Sequence, residues 1–193
     1  MLKKYITVYT ESNPNPNSMK FVLNFMLVPE GTTFDFPDVE SAAQGSPLAT
    51  ELFNFDFVKR VFITSNFVTV TKAEETEWAE IISSLKSFVQ SYFEEGKPLL
   101  TQQKMTSYDK ALNEEDSEIV KKIKSLLDEY VRPAVESDGG AINFHSFNEG
   151  TVKVHLQGSC SGCPSSTITL KAGIENLLKR MIPEVKEVVA EGV

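Results

Sequence analysis

The residues best suited to chemistry are the two cysteines of this sequence, and both lie in one short stretch. In a chain of 193 residues, Cys160 and Cys163 are separated by Ser161 and Gly162, which makes a Cys-x-x-Cys pattern. Two thiolates at this spacing can bind one metal centre from one side or form a reversible disulfide. A cysteine pair in a polar Ser/Gly loop is poorly explained by core packing, so the pair is the candidate functional site.

The pattern around the cysteines predicts a strand before them and a helix after them. An alternating apolar run ends at Leu156, and Pro164 suits the first turn of a helix. Cys163 would then lie at a helix N-terminus, where unpaired amide groups and the positive end of the dipole favour a thiolate. Gly158 and Gly162 allow the backbone to approach whatever the sulfurs bind. The serines of the motif predict a loop that is open to solvent or to a partner.

Three chemistries use such a motif: dithiol redox chemistry, structural zinc and an iron–sulfur cluster. Zinc in one chain would need two further ligands, and the two histidines, His145 and His155, are predicted on the polar faces of strands as surface residues. Their spacing is not that of a zinc finger. A centre with four cysteine ligands exceeds what one chain contains, so two chains would have to supply it, most simply as a symmetric dimer.

Composition narrows the class of protein. The chain carries 27 acidic and 19 basic residues, a net charge of −8, with 41% hydrophobic and 24% charged residues, as in soluble globular proteins. The negative charge argues against binding duplex nucleic acid or anionic lipid. No apolar run approaches the ~20 residues of a membrane span. The first residues lack the pattern of an export or import signal, which predicts a cytoplasmic protein.

The distribution of phenylalanine predicts two separate cores. Eleven of the 13 phenylalanines precede residue 94, and a polar Gly/Pro-containing segment follows them. We therefore predict a domain over residues 1–94, a linker over 95–113 and a second domain over 114–193. Both domains mix strands and helices, so the predicted fold class is α+β with two small domains.

In the first domain, the turn formers of 13–18 separate two predicted strands. Ser46 and Pro47 predict the cap and first position of a helix. A hairpin turn is expected at 64–66, and an apolar stripe from Trp78 to Phe93 predicts an amphipathic helix.

In the second domain, Ser117 is a predicted helix cap, and Pro133 should end that helix near Val131. Turns are expected at 138–140 and 148–150, on either side of a strand. A helix stopped by Pro183 and a final strand complete a predicted α-β-β-α-β order.

Several motifs resemble those of the NifU-like (Nfu) iron–sulfur cluster scaffold family and cover nearly the whole chain. The C-terminal motifs are Val131-Arg132-Pro133-Ala134, Asp138-Gly139-Gly140, residues 152–167 around the cysteines, and Pro183-Glu184-Val185. The N-terminal motifs are Asn13-Pro14-Asn15-Pro16-Asn17-Ser18-Met19-Lys20-Phe21, Ser46-Pro47-Leu48-Ala49 and residues 67–72.

The resemblance implies an Nfu-type N-terminal domain, with a β-sheet and helices, and a NifU-like cluster-binding domain. It implies a [4Fe–4S] cluster bound between two chains by Cys160 and Cys163, with Gly158 and Gly162 shaping the loop. The partners implied are a second copy of the chain, an upstream cluster donor and apo iron–sulfur client proteins. No acid–base pair accompanies the cysteines, so we do not expect an enzyme. The N-terminal domain is expected to be a docking or regulatory module. A thioredoxin-like oxidoreductase and a zinc-bridged dimer are the alternatives.

Overall fold

The chain divides into two units, Met1–Asn113 and Glu114–Val193, each with its own hydrophobic core. The computed structural model describes residues 5–102, 117–161 and 164–192, except the side chains of 164–167. Both units combine sheet and helix, which confirms the predicted α+β class with two small domains. The boundaries at residues 94 and 113 stay a prediction. Among the helices of these ranges, none has the length and hydropathy of a membrane span.

The first unit is built on a five-stranded antiparallel sheet with the order β1-β2-β5-β4-β3. Its described elements are β1 (Val8–Ser12), β2 (Ser18–Leu23), β3 (Thr33–Phe36), α1 (Val39–Gly45), α2 (Pro47–Leu52), β4 (Val58–Thr64), β5 (Phe67–Lys72) and α3 (Trp78–Glu94). The helices pack on one face of the sheet and enclose a core rich in phenylalanine and valine.

Side chains close the turns of this unit as the sequence predicts. Asn13 Oδ1 accepts a hydrogen bond from the Asn15 amide at 3.1 Å, and Asn15 Oδ1 accepts one from Asn17 at 3.0 Å. The β4–β5 hairpin turns at Ser65, which has φ 42°. Ser46 caps α2 by accepting from the Ala49 amide at 3.1 Å. The predicted turn, hairpin and helix start are therefore confirmed.

Two elements of this unit were not predicted. β3 is a four-residue edge strand, too short for its alternation to stand out. α1 begins with a reciprocal capping box between Asp38 and Ser41, in which serine takes the place usually held by Glu or Gln.

Part of the predicted linker contacts the first unit. Tyr92 donates to the carbonyl of Pro98 at 2.7 Å, and burial, followed by the charge of Glu51, raises the pKa of this phenol to about 12. The Thr101 amide donates to the Gly45 carbonyl at 3.0 Å. Residues 103–113 lie outside the described ranges, so the linker itself stays a prediction.

The second unit has a three-stranded sheet of order β6-β7-β8, in which β6 and β7 are antiparallel and β7 and β8 are parallel. Its described elements are α4 (Glu118–Leu126), a π-helical turn (Leu127–Val131), α5 (Arg132–Ser137), β6 (Gly140–Asn148), β7 (Thr151–Gly158), α6 (Pro164–Met181) and β8 (Glu187–Gly192). Their order confirms the predicted α-β-β-α-β pattern, with the first helix divided.

The prediction that Pro133 ends the first helix near Val131 is wrong. The backbone widens into the π-helical turn, where the Arg132 amide donates to the Leu127 carbonyl five residues earlier. A new helix, α5, then begins with Pro133 in its first turn. Amides of the first turn have no hydrogen-bond partner within the helix, so the missing N–H of proline costs nothing there. The helical path therefore continues to Ser137 and brings the following turn under the cysteine loop.

Glu175 of α6 ties this helix to β8. Its carboxylate forms an ion pair with Lys179 and accepts from the Val188 amide at 3.2 Å. The hydrogen bond with Lys179, followed by that from Val188, lowers the pKa of Glu175.

Because this pKa is lower in the folded than in the unfolded chain, ionised Glu175 stabilises the fold at neutral pH. That contribution is lost as the pH falls through the lowered pKa. We expect Glu175→Gln to lower the urea midpoint of the second unit at pH 7. The midpoint of the variant should also fall less steeply than that of wild type as the pH is lowered to 3, as measured by hydrogen exchange. Glu184→Gln, at an exposed position, is the control. Parallel pH profiles for Glu175→Gln and wild type would contradict this role.

Candidate metal centre

The cysteine motif connects the end of β7 to the start of α6, as predicted. β7 ends at Gly158, which has φ 64°, a left-handed conformation that favours glycine, and α6 begins at Pro164. Gly162 and Cys163 lie outside the described residues, so their roles stay predictions. The described part of the loop therefore consists of Ser159, Cys160 and Ser161.

The turn between α5 and β6 supports this loop. The Ser159 amide donates to the Gly139 carbonyl at 3.3 Å, and the Ser159 hydroxyl donates to the Asp138 carbonyl. Gly139 has φ 76°, and Gly140 is directly opposite Gly158 in the β6–β7 register. The turn at 138–140 thus fixes the position of the cysteine loop.

Two glycines allow close packing around the loop. A Cβ atom on Gly140 would lie 2.6 Å from the Gln157 carbonyl oxygen and 2.8 Å from Cys160 Sγ. A Cβ atom on Gly192, at the end of β8, would lie 2.5 Å from the Ser161 carbonyl oxygen. Side chains at either position would displace the cysteine loop.

The prediction of a loop open to solvent or to a partner is wrong for the described N-terminal half of the loop, which is buried. Cys160 is 3% exposed and Ser159 is 2% exposed. Cys160 belongs to the hydrophobic core of the second unit, together with Val135, Leu156 and Ile174. The serine-rich composition predicted exposure wrongly because the polar atoms of Ser159 form hydrogen bonds with the neighbouring turn instead of with water.

A cavity of about 570 Å³ adjoins Cys160 and lies between α6 and the helical segment that precedes the turn. Its lining includes Tyr130, Ala134, Asp138, Gly173 and Leu177. The cavity is mostly apolar, and it gives the cysteine a concave surface on one side.

The histidines are placed away from this loop, on the other face of the sheet. A bulge in β6 between Phe144 and Ser146 brings the His145 ring onto that of His155, with centroids 4.3 Å apart. His155 Nε2 lies 4.0 Å from a carboxylate oxygen of Glu191. Among the described residues, no group of three or more His, Cys, Asp or Glu side chains is arranged to hold a metal ion.

Sequence reasoning did not find the role of Gly140, Gly173 or Gly192 around the cysteine. Gly173 had a local signal, since a glycine inside a helical pattern usually has a packing or functional reason. Gly140 was marked as part of the predicted turn at 138–140, but its contact with Cys160 was not predicted. Gly192 had no local signal, because its contact joins segments that are distant along the chain.

Comparison with known proteins identifies the family. Residues 8–96 match the model of the scaffold protein Nfu/NifU N terminal domain, and residues 123–189 match the NifU-like domain. The chain is 44% identical over 186 residues to the human "NFU1 iron-sulfur cluster scaffold homolog, mitochondrial", covering 96% of this chain and 72% of that protein. It is 43% identical to the Arabidopsis thaliana "NifU-like protein 4, mitochondrial", covering 98% of this chain and 67% of that protein.

A third relative, the Drosophila willistoni "NFU1 iron-sulfur cluster scaffold homolog, mitochondrial", is 43% identical over 97% of this chain and 64% of its own length. The chain thus spans about two thirds of the length of these relatives. Fold and site define a two-domain α+β protein with a Cys-x-x-Cys loop between a strand and a helix. The chain belongs to the NifU-like (Nfu) family of iron–sulfur cluster scaffold proteins, which confirms the resemblance found in the sequence.

The prediction of a cytoplasmic protein is wrong. The relatives that match nearly the whole chain are named as mitochondrial. The prediction depended on the first ten residues, which do not decide targeting in a chain that spans only two thirds of its relatives' length.

Proposed function

We propose that this chain carries a [4Fe–4S] cluster, held between two copies by Cys160 and Cys163, and transfers it to apo-proteins in the mitochondrion. The observation that carries this proposal is the position of the motif. It occupies the short connection between β7, which ends at Gly158, and α6, which begins at Pro164. Both cysteines therefore lie in this one connection, and we expect Gly158 and Gly162 to shape it.

The number of thiols sets the stoichiometry. An all-cysteine cluster takes four thiolates, and the chain contains two cysteines, so two chains complete the ligand set. A symmetric dimer with facing loops satisfies this count. The first turn of α6 contains no acidic residue, so the positive end of its dipole favours the thiolates and the negative cluster.

Cluster binding in a dimer requires Cys160 to turn outward from its buried position. The motion breaks the two hydrogen bonds from Ser159 to the 138–139 turn, at a net cost of about 1–3 kcal/mol. Metal–thiolate binding supplies far more, about 10–16 kcal/mol for structural zinc in peptides. Cluster binding can therefore offset the loss of these hydrogen bonds.

Transfer proceeds by ligand exchange without a redox change. A client thiol loses its proton and its thiolate binds an iron atom. The bond from that iron to Cys160 or Cys163 then breaks, and the released thiolate takes up a proton. Four such exchanges move the cluster intact from the dimer to its client. Apart from the S–H bonds of its ligand thiols, no bond within the client is broken, so we propose a carrier rather than an enzyme.

The partners follow from this cycle. An upstream donor delivers the cluster, apo iron–sulfur proteins receive it, and a second copy of the chain completes the site. The first unit contains no cysteine or histidine, and we propose that it docks or regulates these partners.

Anaerobic reconstitution of the wild-type chain with iron and sulfide tests the proposal. We expect about four irons and four sulfides per dimer, with absorption typical of a [4Fe–4S] cluster and a doubled mass in sedimentation. Stable zinc binding without sulfide would contradict the proposed carrier function and would favour a zinc-bridged dimer. A monomer that cycles only between dithiol and disulfide would contradict the carrier function and would favour an oxidoreductase.

A further inference from the structure

Ser159 holds its neighbour Cys160 in a buried position. Ser159 is 2% exposed and bonds to the preceding turn at two points. Its amide donates to the Gly139 carbonyl at 3.3 Å, and its hydroxyl donates to the Asp138 carbonyl. The hydroxyl oxygen also lies 4.0 Å from Cys160 Sγ. Because both bonds join the loop to another segment of the chain, they fix the direction in which residue 160 leaves β7.

Packing stabilises the same position of the Cys160 thiol. A Cβ atom on Gly140 would lie 2.8 Å from Cys160 Sγ, so the absence of a side chain there makes room for the sulfur. The cysteine shares a hydrophobic cluster with Val135, Leu156 and Ile174. A neutral thiol behaves as a small apolar group and gains from such burial. At 3% exposure, it is turned away from the surface on which a second chain would meet it.

The buried and outward positions of Cys160 compete for one thiol. When a ligand binds only one of two states, its apparent affinity is reduced by the fraction of molecules in that state. The cluster-bridged dimer needs the outward position, so each interaction that favours the buried position weakens cluster retention by the same factor. The Ser159 hydroxyl is such an interaction, and it acts without being a ligand.

We propose that Ser159 is a positioning residue that promotes cluster release. When a client thiolate has displaced Cys160 from its iron, the freed thiolate takes up a proton and the side chain returns to the core. The two hydrogen bonds of Ser159 then form again. Because the returned thiol no longer lies beside the iron, it does not bind it again, and the exchange proceeds toward the client. The inference rests on the proposed function, since it assigns Ser159 a role in releasing that cluster.

Ser159→Ala tests this role in the full-length chain. The substitution removes one oxygen atom from a small side chain, and far-UV circular dichroism and the thermal midpoint confirm that the variant folds. Ile182→Val is the matched control, because it removes one methyl group from the core of the second unit, at a residue that is 1% exposed. It lies outside both the cysteine loop and the 138–140 turn.

The first readout is alkylation of the cluster-free chain by iodoacetamide. Fragment-ion mass spectrometry distinguishes Cys160 from Cys163. At alkaline pH, where an outward thiol is fully ionised, the plateau rate reports the outward population and not the acidity of the thiol. Loss of one ordinary hydrogen bond predicts that Cys160 reacts about three- to tenfold faster in Ser159→Ala. We expect the wild-type rate in Ile182→Val.

The second readout is cluster loss from the reconstituted dimer to an iron chelator. We expect Ser159→Ala to lose its cluster about three- to tenfold more slowly than wild type, and Ile182→Val to lose it at the wild-type rate. A purely structural role for Ser159 predicts the opposite sign, because a destabilised loop would lose its cluster faster. The direction of the change therefore decides between the two roles.

The outcomes separate the inference from the function on which it rests. If wild type binds no cluster, the proposed function fails. If wild type binds the cluster and Ser159→Ala loses it as fast or faster, the function stands and the inference is overturned. An alkylation rate of Cys160 that is unchanged in Ser159→Ala would also overturn it.

Hydrogen exchange of the wild-type chain gives a test that does not depend on the folding of Ser159→Ala. The Ser159 amide is expected to exchange through a local opening of the loop. Its exchange should therefore depend less on urea than that of the Val154 amide, which lies in the middle of β7. Exchange of both amides through global unfolding alone would overturn the inference.

Discussion

Replacing Cys160 with alanine is expected to abolish stable cluster binding while the chain stays folded. Each Cys160→Ala dimer would retain two of the four thiolates, and we expect iron retained after desalting to fall by about tenfold or more. The alanine leaves a small void next to an existing cavity, so the loss of stability should be about 1 kcal/mol. The measurements are iron and sulfide per chain, visible absorption and far-UV circular dichroism.

His155→Gln is the matched control, because it removes a potential metal ligand from the outer face of the sheet. That ring stacks on His145 and lies on the face away from the cysteine loop. We expect wild-type iron content in this variant. Full cluster retention in Cys160→Ala would remove Cys160 from the proposed ligand set. Loss of the cluster in His155→Gln would contradict the expectation that His155 takes no part in cluster binding.

Local rules predicted those parts of the fold that local interactions determine. The caps at Ser46 and Ser117 accept hydrogen bonds from the amides three residues later, as their residue types indicate. The hairpin turn at Ser65 and the helix beginning at Pro164 follow from turn formers and proline placement in the same way. For these elements, the information lies within a few residues.

Tertiary contacts explain where local rules failed. Pro133 is a helix breaker in isolation, yet the π-helical turn before it allows the chain to continue as α5. Ser159 and Cys160 belong to a polar motif, yet the turn at 138–140 draws them into the core. The second outcome depends on contacts between segments that are distant along the chain, which periodicity and composition do not encode.

The position of the candidate site and its burial therefore have different origins. The Cys-x-x-Cys pattern places the sulfurs between a strand and a helix, and this much follows from residues 152–164 alone. The burial of Cys160 depends on the turn 20 to 22 residues earlier in the chain and on the end of β8. The motif supplies the thiols for the proposed cluster, and the surrounding contacts set the position of Cys160 in the fold.

Gly140→Ala is expected to destabilise the second unit and to reduce cluster loading together. The added methyl group would overlap the Gln157 carbonyl oxygen at 2.6 Å and Cys160 Sγ at 2.8 Å. One of these contacts is to backbone within the β6–β7 ladder, so relief requires the strands or the cysteine loop to shift. Overpacking of this kind costs about 1–3 kcal/mol, and the shift would misplace the end of β7, from which Cys160 turns outward in the proposed cluster-bound dimer.

Gly173→Ala makes the same chemical change where a Cβ atom meets nothing within 4 Å, so it should be neutral or stabilising. Hydrogen exchange of residues 140–161 in urea measures the stability of the second unit, and iron per chain measures loading. The chain's one tryptophan, Trp78, reports on the first unit, and we expect its fluorescence transition to be unchanged. Equal stability of Gly140→Ala and Gly173→Ala would show that Gly140 does not position the loop. Reduced stability of Gly140→Ala with full iron loading would show that Gly140 stabilises the fold but is not needed for cluster binding by Cys160.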